Sequence, residues 1–249
     1  MIGIFDSGSG GLTVLKALRE VLPSADVVYF GDIKNAPYGE KTQEELSLLT
    51  VNAIKQLRNF GADKIISACN SVSASMALSI FDAFDLNAGS IVEMVGPTVA
   101  YLKDTNSSVA LCATPATIRS GIYQNAFRMI GKEIEVVPMP GLASAIEFGK
   151  TAEEIDGLVQ SATRPIRAQL VILACTHYPL VTDAFKKALP DKDIFDPAVA
   201  VAARARQLFW PQEVRDGKTQ LTISEESEHF RALAAKLFPS AQYTVEVVE

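Results

Sequence analysis

Short apolar runs that break abruptly into turn or hydroxyl residues recur along this chain, and most are followed by a segment with helical spacing. Such runs stand at residues 2–5, 27–30, 65–66, 109–113 and 170–174, and the segments 91–95, 133–137 and 193–195 read as further strands. Four or five consecutive apolar residues bounded by turn signals read as a strand buried on both faces. Between them, Val14, Leu15, Leu18, Val21 and Leu22 repeat at helical spacing, as do Leu46, Leu49, Ala53 and Leu57 behind a Thr42–Glu45 capping box. Further helical patterns cover 71–84, 142–148, 152–166 and 197–209. Strands alternating with helices predict an α/β fold of mainly parallel sheets flanked by helices. The end of the chain reads as a coda of strand (219–223), helix (225–238) and strand (243–248), which the pattern alone leaves free to join either unit. A break at Asn87-Ala-Gly-Ser90, followed by 91–95 and Gly96-Pro97, marks the expected crossing into a second unit.

Bulk properties narrow the function classes. A net charge of −6 argues against general nucleic-acid binding or attachment to an anionic membrane, since both require clustered positive charge. No basic region precedes the apolar start at Ile2, and no apolar run approaches the roughly 20 residues of a membrane span. Three cysteines, an odd number, do not suggest a disulfide framework; free thiols fit a reducing compartment, so the expected location is cytoplasmic.

Two of those thiols stand in matching places. The run 170–174 opens into Cys175-Thr-His-Tyr-Pro179, and the run at 65–66 leads through Ser67-Ala68 to Cys69-Asn-Ser71. Strand ends of this kind collect ligands in open α/β sheets. The first residues of each half also compare, Ile4-Phe-Asp-Ser7 with Leu111-Cys-Ala-Thr114, which suggests two pseudo-symmetric lobes with Cys69 and Cys175 on opposite walls of one cleft. Cys112, in mid-strand among apolar neighbours, reads as a small core hydrophobe. No metal is expected: Cys175 and His177 supply two donors, and the one other histidine, His229, lies in a helix read as surface packing.

The glycine loop Asp6-Ser-Gly-Ser-Gly-Gly11 lacks the lysine and spacing of a phosphate loop and the order of a dinucleotide fingerprint. Its glycines would permit positive φ and close backbone approach, and the following helix start would present unpaired amides to an anion. The loop Gly31-Asp-Ile-Lys-Asn-Ala-Pro-Tyr-Gly39 reads most simply as a surface turn. Cys175 with a histidine could form a nucleophile and base, but that leaves Cys69 without a task. Two thiols facing one carbon suit another reaction, in which a thiolate removes a proton from a tetrahedral carbon and a thiol returns one to the opposite face. Asp6 and His177 are the ionisable groups placed to tune them.

Several motifs in order, Phe5-Asp-Ser-Gly-Ser-Gly-Gly-Leu-Thr-Val14, Tyr29-Phe-Gly-Asp32, Pro37-Tyr-Gly39, Ala68-Cys-Asn-Ser71 and Cys175-Thr-His-Tyr-Pro-Leu180, carry a resemblance over nearly the whole chain. It resembles the glutamate racemases of the cofactor-independent aspartate/glutamate racemase superfamily, which supply D-glutamate for bacterial peptidoglycan. The resemblance implies no cofactor, an active site in the interlobe cleft, and a C-terminal segment that returns to the first lobe. The lobes would then be 1–93 plus 208–249 and 94–207. It implies Cys69 as the acid/base group for the D-isomer and Cys175 for the L-isomer, with Asp6 and His177 as helpers and Glu147 orienting the histidine. Substrate contacts would come from Asp6, Ser7, Tyr38, Gly39, Asn70, Ser71, Thr114, Thr117, Thr176 and His177. A homodimer is the implied assembly. Ser71 and Ala174 depart from the family's more usual threonine and glycine. Aspartate as substrate, a non-catalytic amino-acid or partner-binding regulator, and a thiol hydrolase or transferase stand as alternatives.

Overall fold

A computed structural model describes residues 1–73, 89–209, 216–239 and 242–248. Two parallel sheets carry the fold. The first contains β1 (Ile2–Asp6), β2 (Val27–Gly31), β3 (Lys64–Ser67), β4 (Ile91–Val92), β9 (Thr219–Ile223) and β10 (Tyr243–Val247), in the order β10-β9-β2-β1-β3-β4. The second contains β5 (Val109–Ala113), β6 (Ile134–Pro138), β7 (Leu170–Ala174) and β8 (Asp193–Phe195), in the order β6-β5-β7-β8. The paths β2-β1-β3-β4 and β6-β5-β7-β8 are the same, so the two halves share one topology.

Register extends the equivalence to single residues. Phe5 stands beside Ser67 in the first sheet and Ala113 beside Ala174 in the second. The carboxyl ends of β1 and β3 therefore bring Asp6 next to Ala68-Cys69, as β5 and β7 bring Thr114 next to Cys175. Both thiols leave their sheets where parallel strands gather ligands.

Alternation of side chains along each strand produces two packed faces per sheet. In the first sheet Ile2, Ile4, Val27, Tyr29 and Leu221 pack with the helices Leu12–Val21, Pro197–Leu208 and Glu228–Leu237. Phe5, Val28, Phe30 and Ile65 face the helix Gln43–Asn59 on the other side. That helix begins at Thr42, whose side chain and that of Glu45 form a complete capping box. In the second sheet Cys112 is fully buried with Val171 and Leu173, and burial pushes its thiol up to about 12.

Some expectations need adjustment. Gly96 and Pro97 do not break the chain; they lie in the first turn of the helix Val95–Tyr101, where a missing proline N–H costs nothing. The Glu93 carboxylate receives the Val95 and Gly96 amides at 2.6 and 2.5 Å and so starts that helix. The helix Pro197–Leu208 packs Ala198, Val201 and Ala205 into the core of the first sheet, although the expected lobe limits grouped it with the second. Of the helix expected over 71–84, only the turn Asn70–Ser73 lies within the described residues.

Candidate active site

Cys175 follows directly on β7, and two residues further on stands His177, whose Nδ1 lies 3.8 Å from the Cys175 Sγ. The other ring nitrogen, Nε2, meets Glu147 Oε2 at 2.5 Å. Glu147 closes the short helix Leu142–Glu147, and the carboxylate, imidazole and thiol form a continuous buried line. Burial opposes charge on the histidine, but its bonds to Cys175 and Glu147 outweigh that and hold its pKa well above the usual value. Burial likewise opposes ionisation of Glu147, yet the hydrogen bond and charge of His177, with the bonds from Ser9, hold the carboxyl down at about 2. Both directions favour an imidazolium paired with a carboxylate, with the ring's Nδ1 facing the Cys175 sulfur.

The opposite wall is built differently. Cys69 lies just before the turn Asn70–Ser73, and burial followed by the charge of Asp6 raises its pKa well above an ordinary thiol's. Amides of Val72 and Ser71 at the start of the turn act in the other direction without overcoming those effects. Asp6 is fully buried, and burial raises its pKa despite the opposing charge of His177 and the bond from the Gly11 amide. Its Oδ2 accepts from the amides of Gly8 and Gly11 at 3.3 and 2.9 Å, and its Oδ1 from the Thr176 hydroxyl at 3.1 Å. One thiol thus faces a positive group and the other a carboxyl group.

Three amides of the glycine loop are taken up within the protein. They serve the protein's own carboxylates: Gly8 and Gly11 bind Asp6, while Ser9 donates its N–H at 3.0 Å and its hydroxyl at 2.7 Å to Glu147 Oε2. Positive φ is not the reason for the glycines, since Gly11 has φ −62° and the positive-φ glycines, such as Gly121 and Gly141, lie elsewhere. Close approach is the reason. A Cβ on Gly8 would stand 2.8 Å from the Glu147 carboxyl, and one on Gly10 would stand 2.6 Å from Thr176 Oγ1 and 2.8 Å from His177 Nδ1.

Residues from both lobes meet around the thiols. Ser71 Oγ lies 3.0 Å from Thr114 Oγ1 and 3.3 Å from Thr117 Oγ1, and the two threonine hydroxyls are 3.0 Å apart. Gly39 approaches so closely that an added Cβ would stand 2.9 Å from Thr114 Cβ. At the rim, Arg119 Nη2 donates to the carbonyls of Glu40 and Lys41. Ser7 and Thr176 are buried in the same region.

The loop 31–39 is not a surface turn. Tyr38 is buried and donates to Asp32 Oδ2 at 2.5 Å; Asn35 and Ser224 also donate to Asp32, which ties the loop to the end of β9. A polar loop can be buried when its carboxylate is satisfied in this way. Ser9, Tyr29, Asp32, Tyr123 and Ser224 also support the site, and no local sequence pattern marks them for that role. Tyr29 donates to the Gly8 carbonyl at 2.6 Å, and Tyr123 to Asn70 Oδ1 at 2.7 Å.

Two α/β halves of one topology each bring a buried thiol to the carboxyl ends of their strands, the arrangement expected of a two-lobed racemase. The chain belongs to the Asp/Glu/hydantoin racemase family, whose model matches residues 12–205. Among its relatives is a glutamate racemase from Ruegeria sp. (strain TM1040), 36% identical over 81% of this chain and 82% of the relative. Its fold is similar to that of a glutamate racemase isoform from Bacillus anthracis, with TM-score 0.87 and 26% identity, covering 100% of this chain and 97% of the other. A glutamate racemase from Francisella tularensis subsp. tularensis SCHU S4, solved in complex with D-glutamate, has TM-score 0.86 and 27% identity at coverages of 100% and 97%.

Proposed function

We propose that this enzyme interconverts L- and D-glutamate by two-thiol acid/base catalysis and supplies D-glutamate for peptidoglycan synthesis. The observation that carries the reading is the unequal dressing of the two thiols. Cys175 is backed by the His177–Glu147 ion pair, whereas burial and Asp6 favour the protonated form of Cys69. A Cys175 thiolate next to the imidazolium removes the α-proton of L-glutamate while the Cys69 thiol gives its proton to the opposite face. The products are D-glutamate, a Cys175 thiol and a Cys69 thiolate. Starting from D-glutamate the roles reverse.

The difficulty of this chemistry is the low acidity of an amino acid's α-hydrogen. Charge developing on the α-carboxylate must be met by preorganised donors in a site closed to water. Asn70 offers one: its Nδ2 is buried and has no partner among the described residues. The hydroxyl cluster of Ser71, Thr114 and Thr117 supplies others, and Thr176 adds a hydroxyl beside Asp6. Lobe opening admits substrate, and closure brings Ser9 back onto Glu147.

Free buried thiols favour a cytoplasmic location, and no helix among the described residues is long and apolar enough to cross a membrane. A homodimer completes the reading, on the family resemblance. Incubation with L-glutamate or D-glutamate in deuterated water, followed by optical rotation and α-deuterium content, is the direct test. Loss of rotation with incorporation of deuterium is expected, and no exchange in either enantiomer would overturn the proposal.

A further inference from the structure

The Asn70 amide is held from one end only. Its Oδ1 accepts a 2.7 Å hydrogen bond from the Tyr123 hydroxyl, while its Nδ2 is left without a partner in a residue only 1% exposed. A buried donor left without a partner is costly, so its persistence requires an explanation. The two ends of an amide have opposite polarity. A flip would turn Oδ1 away from the phenol and present an acceptor where a carboxylate needs a donor.

Tyr123 is well placed to prevent that flip. It comes from the second lobe, on the helix Ile122–Met129, and is fully buried beside Phe127, Val99 and Leu111. Asn70 comes from the first, immediately after Cys69. Of the other groups near the phenol, the Met94 carbonyl is 3.5 Å away, and the Thr98 hydroxyl, which also reaches the phenol, spends its own proton on that carbonyl at 2.6 Å. The short bond to Asn70 is therefore the one that uses the phenolic proton, and burial keeps that proton in place by raising the hydroxyl's pKa.

We propose that Tyr123 is a positioning residue for substrate binding: it fixes the Asn70 amide so that Nδ2 is presented to a carboxylate of the amino acid. The inference rests on the racemase reading above. It also joins the lobes, since the donor is set only when the Tyr123 helix lies against Asn70. Because the same carboxylate is held in either enantiomer, the effect falls on both directions of the reaction.

Tyr123→Phe removes the hydroxyl and leaves the ring in its core. The expected result is a rise of about 10-fold or more in KM for both glutamate enantiomers, the scale of one hydrogen bond to a charged group, with kcat changed less than about 3-fold. Calorimetric titration of each variant with racemic glutamate gives the affinity independently of turnover. In an Asn70→Ala background the tyrosine substitution should have no further effect on affinity, as required if it acts through Asn70. Asn70→Asp keeps an acceptor for Tyr123 but lacks the donor, and should bind as weakly as Asn70→Ala. An unchanged KM in Tyr123→Phe, or an equal loss of affinity with and without Asn70, would overturn the proposal. Should Tyr123→Phe fail to fold, affinity retained in Asn70→Asp would overturn it by itself, and affinity lost there would support it. Wild-type protein in deuterated water separates the two levels: no α-exchange sinks the racemase reading, whereas exchange with an unaffected Tyr123→Phe sinks only this one.

Discussion

Replacement of Gly10 by alanine tests whether the glycine loop exists to let the lobes meet. The added methyl would stand 2.6 Å from Thr176 Oγ1, 2.8 Å from the His177 amide nitrogen and 2.8 Å from His177 Nδ1. Ordinary contact between carbon atoms begins near ~3.5 Å, so the two lobes must separate locally by roughly 1 Å. Crowding of a packed interior costs about 1–3 kcal/mol, which in a protein of this size lowers Tm by roughly 2–12 °C. The larger effect falls on the reaction, because a misplacement near 1 Å can reduce the rate about 100-fold. Gly157→Ala is the control. Gly157 lies within the helix Ala152–Thr163, its φ is not positive, and a Cβ there would meet nothing within 4 Å. It should gain about 0.5–1 kcal/mol with unchanged kcat. The assay is polarimetric racemisation of each enantiomer together with thermal unfolding. A Gly10→Ala enzyme with wild-type kcat would refute the close-approach argument.

Other consequences follow from the same geometry. Ser9→Ala removes a 2.7 Å donor to Glu147 while retaining the backbone N–H, and kcat should fall about 10-fold, measured in both directions. Glu147→Gln should be less stable than wild type near neutral pH, with urea unfolding at a series of pH values as the check. The carboxyl's folded pKa of about 2 lies below its unfolded value of about 4.3, so its contribution is complete above the latter and disappears as pH falls through the former. The raised His177 pKa has the opposite sense: its contribution is complete below the unfolded value of about 6.5 and is lost as pH rises through the folded value. The stability gap between wild type and Glu147→Gln should therefore narrow toward pH 2 and at high pH. Cys112→Ala should keep full racemase activity with a stability loss of about 1 kcal/mol, since its sulfur is packed in the core of the second sheet.

Much of the framework was legible because burial leaves local marks. Apolar runs such as 109–113 and 170–174 read as strands without any knowledge of their partners, and the Thr42–Glu45 spacing marked a helix start that the structure contains. Cys69 and Cys175 could be paired because both leave apolar strands into polar residues. What local patterns cannot express is contact between segments far apart in the chain. Ser9 serves Glu147 across 138 positions, and the glycines beside it are dictated by that approach and not by their own backbone angles. Tyr123 sits at an ordinary core position of an amphipathic helix, where nothing in its neighbourhood marks the Asn70 bond. The loop 31–39 has the composition of an exposed turn, yet Asp32 is satisfied by Tyr38, Asn35 and a serine near the other end of the chain. The alanine-rich helix Pro197–Leu208 suits several packing surfaces, so its composition did not reveal that it covers the first sheet.

The central claim, that two thiols act on opposite faces of one carbon, is tested most directly by replacing them one at a time. Cys69→Ser and Cys175→Ser should each abolish net racemisation of glutamate. Elimination from an analogue with a good leaving group requires only one base. Cys69→Ser should therefore retain it with the L-analogue and Cys175→Ser with the D-analogue. Full racemase activity in either variant would contradict the two-base account.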